Sequence, residues 1–429
     1  MLAARPRSGH WDPALVRGDW TTAARGKYLL VESTWDADRI ARLFARLDAH
    51  LPDAVALRRT LHLEPRLSGE EDDTTATMVA SLGLPATAMP EGGALVRVGG
   101  PGPSIGMRAE LDALPVVEGT GVDWASTNGA MHACGHDVHL AATLAVTRTL
   151  QDVGAPMPFT VVLQPREETL PSGAKDVIGS REFSEEKVAV MLGVHVQPRL
   201  QQRHFAATPG AVNAAADQFT ISVNGLPGHA AYPHLTADPV VAAADLVGTL
   251  QHLVSRQVDP TNPTVLTVGT ITGGNSPNVV PASVRMTGIL RTFDERDRVR
   301  LHDAIATTSA SVAGIHGCEA EVSVSQGAPV LVNDPDLTTA VAGWLGGAGL
   351  HAAPALRSCG ADDFSYFCDV APSVMVFLGV GSEDPEEPGL HHPHFLPSEQ
   401  TVGDVAKAML AAYLGACSQY VDLPLPEPS

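Results

Sequence analysis

Nine consecutive residues, Met131-His132-Ala133-Cys134-Gly135-His136-Asp137-Val138-His139, contain three histidines, a cysteine and an aspartate. Imidazole, thiolate and carboxylate are the side chains that bind divalent transition metals. Cys134 and His136 are two apart, so a helix would point them in different directions. A turn entering a helix at Leu140 brings both onto one ion, and Gly135 supplies the backbone freedom that turn needs. Directly after the apolar run 159–163 comes Gln164-Pro165-Arg166-Glu167-Glu168. Beside a metal, one carboxylate of such a pair binds the ion and the other is free to take a proton from acidified water. His195 ends another apolar stretch, and a late loop, Gly389-Leu390-His391-His392-Pro393-His394, is rich in imidazole. Each of the last three elements alone would read as solvated loop or satisfied core. Together the four offer five ligands of mixed type, more than one tetrahedral ion takes, so the sequence predicts two ions with a thiolate able to bridge them.

These residues need a frame. The apolar runs 94–98, 104–107, 159–163, 188–196 and 373–380 read as strands, alternating with helical patterns at 140–150 and 174–178. That alternation implies an α/β layer with a buried sheet, whose strand exits are where sites are built. Residues 36–63 read as helix with a restart after Pro52. The middle reads differently: strand 218–223, helix 239–256, strands 265–271 and 283–290, helix 296–312, strand 320–324. The order β-α-β-β-α-β is the ferredoxin-like pattern. Turn residues flank it at Thr208-Pro209-Gly210 and Gly327-Ala328-Pro329. The expected organisation is an irregular extension over 1–35, a catalytic domain over 36–211 and 326–429, and an inserted domain over 212–325.

Of the 429 residues, 48 are acidic and 28 basic, for a formal net charge of −20. Such a surface repels nucleic acid and anionic membrane. No apolar stretch approaches the ~20 residues of a membrane helix. Charges and Pro stand near the start where a secretory apolar segment would lie, so no signal peptide and a cytoplasmic location are expected. Five scattered cysteines make a poor disulfide framework and fit a reducing compartment.

The chain resembles the M20 metallopeptidase family, and within it the aminoacylase, hippurate hydrolase and auxin-conjugate amidohydrolase branch, subfamily D. The stretches that carry the resemblance run in order from about residue 55 to 400: LHLEPRLSGEE (61–71), MRAELDALP (107–115), MHACGHDVH (131–139), LQPREE (163–168), GVH (193–195), GHAAYPHLTADPV (228–240), NSPNVVPASVRMTGILRTFD (275–294), DDFSYF (362–367) and LHHPHF (390–395). The resemblance implies a zinc-peptidase-like α/β catalytic domain carrying a ferredoxin-like α+β dimerisation domain. It implies metal ligation by Cys134, His136, Glu168, His195 and His391, with His392 and His394 as neighbouring alternatives. Glu167 would be the general acid/base. His229 would reach across a homodimer to stabilise the oxyanion, and Asn278 and Arg291 would hold the substrate carboxylate.

The activity so implied is hydrolysis of N-acyl amino acids by water activated at two divalent ions, zinc or manganese, with cobalt and nickel also compatible. A dipeptidase, a narrow deacetylase and a non-catalytic binding protein are the other readings. Three positions depart from the family pattern. Glu110 stands where relatives carry the first Asp of RADMDALP, the late acidic motif reads Asp362-Asp363-Phe364, and Arg166 replaces a small residue. A cation beside Glu167 would weaken it as a base, so Arg166 is expected to point away.

Overall fold

A computed structural model describes residues 35–382, 387–421 and 423. The extension expected over 1–35 therefore lies, except for Trp35, outside the described residues.

The larger sheet has eight strands, in spatial order Ala86–Ala88, Ala94–Val98, Phe159–Gln164, Ser104–Glu110, Val188–Gln201, Ser373–Gly381, His204–Ala206 and His351–Ala352. The four central strands run parallel. Parallel strands are covered on both faces and so read as unbroken apolar runs; every residue of Phe159–Gln164 and Ser104–Glu110 is buried. The two-residue alternation of a strand divides them between two cores. Phe159, Val161 and Leu163 join the side packed by helices Ala37–Leu63, His136–Val153, Pro335–Gly347 and Gln400–Cys417. Val162 faces the other side, with Val177, Phe183, Phe364 and Phe367 from three short helices.

A second sheet is four-stranded and antiparallel, in order Thr264–Gly273, Ser283–Thr292, Ala215–Asn224 and Glu319–Gln326. Helices Pro239–Gln257 and Glu295–Ile315 supply Leu246, Leu250, Leu301 and Ile305 to its own core. All six elements expected between 218 and 324 are present, and their spatial order 2-3-1-4 is the ferredoxin-like one. Asp217 ties strand Ala215–Asn224 to helix Glu295–Ile315 and to the turn at Gly327. Its carboxylate accepts from Arg298 Nε and Nη2 (2.8 and 2.6 Å) and from the Gly327 N–H (3.1 Å), and lies 2.6 Å from His302 Nε2.

Two local expectations are corrected. Residues Ala37–Leu63 form one helix with Pro52 inside it rather than two. An internal Pro costs roughly 3 kcal/mol, but Leu43, Leu47, Ala54, Leu57 and Leu61 are buried along the helix on both sides of it and hold the halves in line. The helix expected at Leu140 starts at His136, behind Gly135 in the left-handed region at φ +85°.

Candidate metal centre

The five expected ligands come together. Ligand atoms of Cys134, His136 and His195 lie within 4.8 Å of one another, as do those of Cys134, Glu168 and His391 and those of His136, Glu167 and Glu168. Donors at 2.0–2.3 Å from a shared ion stand roughly 3–4.5 Å apart, so each group is of the right size for one cation. Cys134 belongs to two groups, the arrangement a bridging thiolate needs. His391, not His392 or His394, is the late-loop imidazole that joins them: its Nε2 is 3.4 Å from Glu168 Oε1.

Each ligand is held by the fold. Glu167 and Glu168 follow the carboxyl end of Phe159–Gln164. The loop that carries them closes where the Gly173 N–H donates to Arg166 O (2.9 Å), an approach so tight that a Cβ on Gly173 would lie 1.8 Å from Pro165 O. His136 donates Nδ1–H to the Asp112 carbonyl (2.8 Å) and His195 donates Nδ1–H to the Val196 carbonyl (2.7 Å). Both rings are thereby oriented with Nε2 left to face an ion, the usual support for a metal-binding histidine. The His195 Nε2 stands 3.4 Å from Cys134 Sγ. His391 is anchored by its own N–H to Ala133 O (2.8 Å), at a left-handed φ of +66°.

The charge balance calls for cations. His136 Nε2 and Glu168 Oε1 are buried without a hydrogen-bond partner, 4.0 Å apart. Buried polar atoms are normally paired, and an ion between a nitrogen and an oxygen lone pair satisfies both. Burial lowers the His136 pKa, but Asp112, Glu110 and Glu168 overcome it and raise the group to about 10. Burial above all brings His195 down to about 4, so it is neutral and ready to ligate. Burial, reinforced by Glu168 and Glu167, holds the Cys134 thiol well above its usual range. The donor set of S, N and O, with two orphaned atoms facing each other, fits divalent metal.

The sequence reading overlooked the groups that organise these ligands. Asp112 Oδ2 accepts from Ser68 Oγ (2.6 Å) and from the Glu168 N–H (2.9 Å), linking the His136 and Glu168 loops. Arg108 is the cation beside Glu167, with Nη2 at 4.0 Å from Oε1. It also bonds Asp362 (3.0 Å), Asp363 (2.9 Å), Gln164 (3.0 Å) and Glu110. Arg166 points away, its Nη2 donating to Asp176 at 2.5 Å. The signal available was Arg108 and Glu110, two charged residues at strand spacing in an otherwise apolar strand buried on both faces.

Of the remaining expected site residues, Arg291 lies on the second sheet, His229 on a two-stranded ribbon pairing Gly228–His229 with Val279–Val280, and Asn278 in the loop just before that ribbon's second strand. His229 is exposed, accepts at Nδ1 from the Ala231 N–H (3.1 Å) and leans on the Tyr232 ring. Asn278 accepts from Ser276 Oγ (2.6 Å). Arg291 is half-buried, and its Nη1 is buried without a partner. His229 is not among the metal-binding side chains that group with Cys134.

Comparison with known proteins agrees with this geometry. Residues 106–416 match the profile of "Peptidase family M20/M25/M40". The N-acetyldiaminopimelate deacetylase of Listeria monocytogenes is 34% identical over 361 residues, covering 82% of this chain and 96% of its own. The N-acetyl-L-cysteine deacetylase of Bacillus subtilis is 33% identical over 359 residues, covering 81% and 84%. Among solved structures, a dinuclear metal-binding peptidase of the M20 family from Bacillus subtilis superposes with a TM-score of 0.74 at 26% identity, covering 86% of this chain and 98% of that one. Likeness at this length and identity, on a fold whose strand exits gather sulfur, nitrogen and oxygen ligands, makes the chain a member of the M20 peptidase family and a hydrolase of amide bonds.

Proposed function

We propose that the protein is a subfamily D amidohydrolase that releases free amino acids from N-acyl amino acids. The observation that carries the reading is the convergence of Cys134, His136, Glu168, His195 and His391 in overlapping close groups, with Glu167 in one of them. Two divalent ions held by those five residues, zinc or manganese by donor type, would acidify a water and polarise the amide carbonyl.

The chain's own groups supply the rest. Glu167 is the proton carrier: it takes a proton from the attacking water and returns it to the departing amine. Burial first, and then repulsion from Glu168, raise its pKa well above the carboxylate range, which strengthens it as a base. Arg108, 4.0 Å away, offsets part of that rise. Arg291, with Asn278, takes the free carboxylate of the substrate; the partnerless Nη1 supports that role. His229 acts in a homodimer, donating to the oxyanion in the partner's site from an insert spanning 212–325, a contribution of ~2.7–4 kcal/mol for donors of this kind. Its exposure, and its not belonging to its own chain's ligand groups, support that assignment. The names of the two deacetylase relatives support a small N-acyl amino acid as substrate.

The test is a panel of N-acetyl, benzoyl and carbobenzoxy amino acids and dipeptides, assayed with metal-reconstituted protein. Turnover of the N-acyl compounds, lost when the free carboxylate is esterified, is expected. Faster cleavage of dipeptides would make it a dipeptidase, and no turnover with two ions per chain would refute the proposal.

A further inference from the structure

His139 belongs to the same nine-residue cluster as Cys134 and His136, yet it cannot be a ligand. Its ring is fully buried, and the Val196 N–H donates to its Nε2 (3.1 Å). A nitrogen that accepts from a peptide has no lone pair left for an ion. The proton is therefore on Nδ1, which donates to Glu110 Oε2 (3.1 Å). Glu110 is held in turn by Arg108, and Arg108 by Asp362 and Asp363.

What this chain reaches is the His195 side of the metal centre. Pairing of Ser104–Glu110 with Val188–Gln201 stops at Met107 and Leu192, so Val196 has no partner in that strand. Two imidazoles serve it instead. His139 takes its N–H, and His195 bonds its carbonyl. The His139 and His195 rings are edge to face with centroids 4.8 Å apart. Val196 also fills the space next to Gly135, where a Cβ would lie 2.6 Å from Cγ2. A shift of Val196 would therefore turn the His195 ring and crowd the Cys134–His136 turn.

We propose that His139, fixed by Glu110 and Arg108, is a positioning residue that sets the orientation of His195 and so the affinity of the ion His195 binds. The proposal rests on the metal reading above. Its test compares His139→Leu, which removes the acceptor for Val196, with His139→Gln, whose amide oxygen is able to take it over. The dissociation constants of both zinc ions are measured by competition with a chelator of known affinity. Thermal unfolding of the metal-free proteins is followed in parallel.

His139→Leu should weaken one ion about 10–100-fold, as loss of such support usually does, and leave the other within about threefold. His139→Gln should recover most of the loss. If His139→Leu does not fold, Glu110→Gln, which keeps the shape but weakens the bond to Nδ1, should weaken the same single ion. Both ions bound as in the unaltered protein, or both weakened together with a lowered metal-free melting temperature, would overturn the assignment. If the unaltered protein itself binds no zinc, the metal reading fails instead, and the two failures are distinct.

Discussion

Replacing Glu167 and Glu168 singly with glutamine separates proton transfer from metal binding. The two residues are adjacent and both lie near His136 Nε2, at 3.8 and 4.0 Å. Their other neighbours differ. Glu168 groups with Cys134 and His391, whereas Glu167 groups with Asp362 and Asp363 around Arg108. Glu167 is disfavoured as an anion by burial and by Glu168, so a neutral amide of the same shape fits its place without harming the fold. Glu167→Gln should hold two ions per chain by elemental analysis and keep its melting temperature. Its kcat should fall by at least about 10³-fold, the middle of the range for general acid–base catalysis or beyond, because one group serves both proton transfers. At 1.36 kcal/mol per tenfold, that loss is about 4 kcal/mol of transition-state stabilisation. Glu168→Gln should lose one ion, and its activity should return in part at high zinc. Turnover within tenfold of the unaltered enzyme in Glu167→Gln, or loss of an ion from it, would refute the division of labour.

Metal binding should release protons, one from the Cys134 thiol and one from His136, since both groups sit above neutrality in the metal-free protein. Affinity should therefore tighten with pH by about two decades per unit near neutrality, and calorimetric enthalpies should vary with the buffer's ionisation heat; buffer-independent heats would count against it. Asp217 has a folded pKa below the ordinary aspartate value because the bonds from Arg298 and His302 outweigh burial. Its contribution is complete above the unfolded value of about 4 and fades as pH falls through the folded one. Asp217→Asn, which leaves Arg298 with only Glu295 and the Gly327 carbonyl, should cost about 3 kcal/mol at pH 7, the low end for breaking a buried pair. In urea unfolding the gap to the unaltered protein should narrow at pH 3; an equal gap at both pH values would contradict the assignment.

The insert's elements were legible because its sheet is covered on one face. Burial alternates along Ala215–Asn224 and Ser283–Thr292, so apolar and polar residues alternate in the sequence. Cys134 and His136 were legible because unlike metal-binding side chains are rare neighbours, whereas Glu168, His195 and His391, from distant elements, were singled out by the family resemblance. The helix Gln400–Cys417 was not expected: nearly every residue is buried, so the apolar stripe that marks a surface helix has no polar side to contrast with. The start of His136–Val153 was hidden for the opposite reason, since His136, Asp137 and His139 look like loop residues although all three are buried. Arg108 and Glu110 escaped because a charge in a sequence reads as solvent-facing. Only the three-dimensional structure reveals that Arg108 is enclosed by carboxylates.

His391 differs from the other histidine ligands in standing at the rim, its side chain about half exposed (52%), whereas His136 and His195 are enclosed. The two cations should therefore trade with the medium at unequal speeds, the outer one within reach of a chelator while the inner one is still locked in. A brief strip and refill would then yield a mixed pair, with one element inside and another outside. Each position could be assigned its own spectroscopic label without altering a single residue.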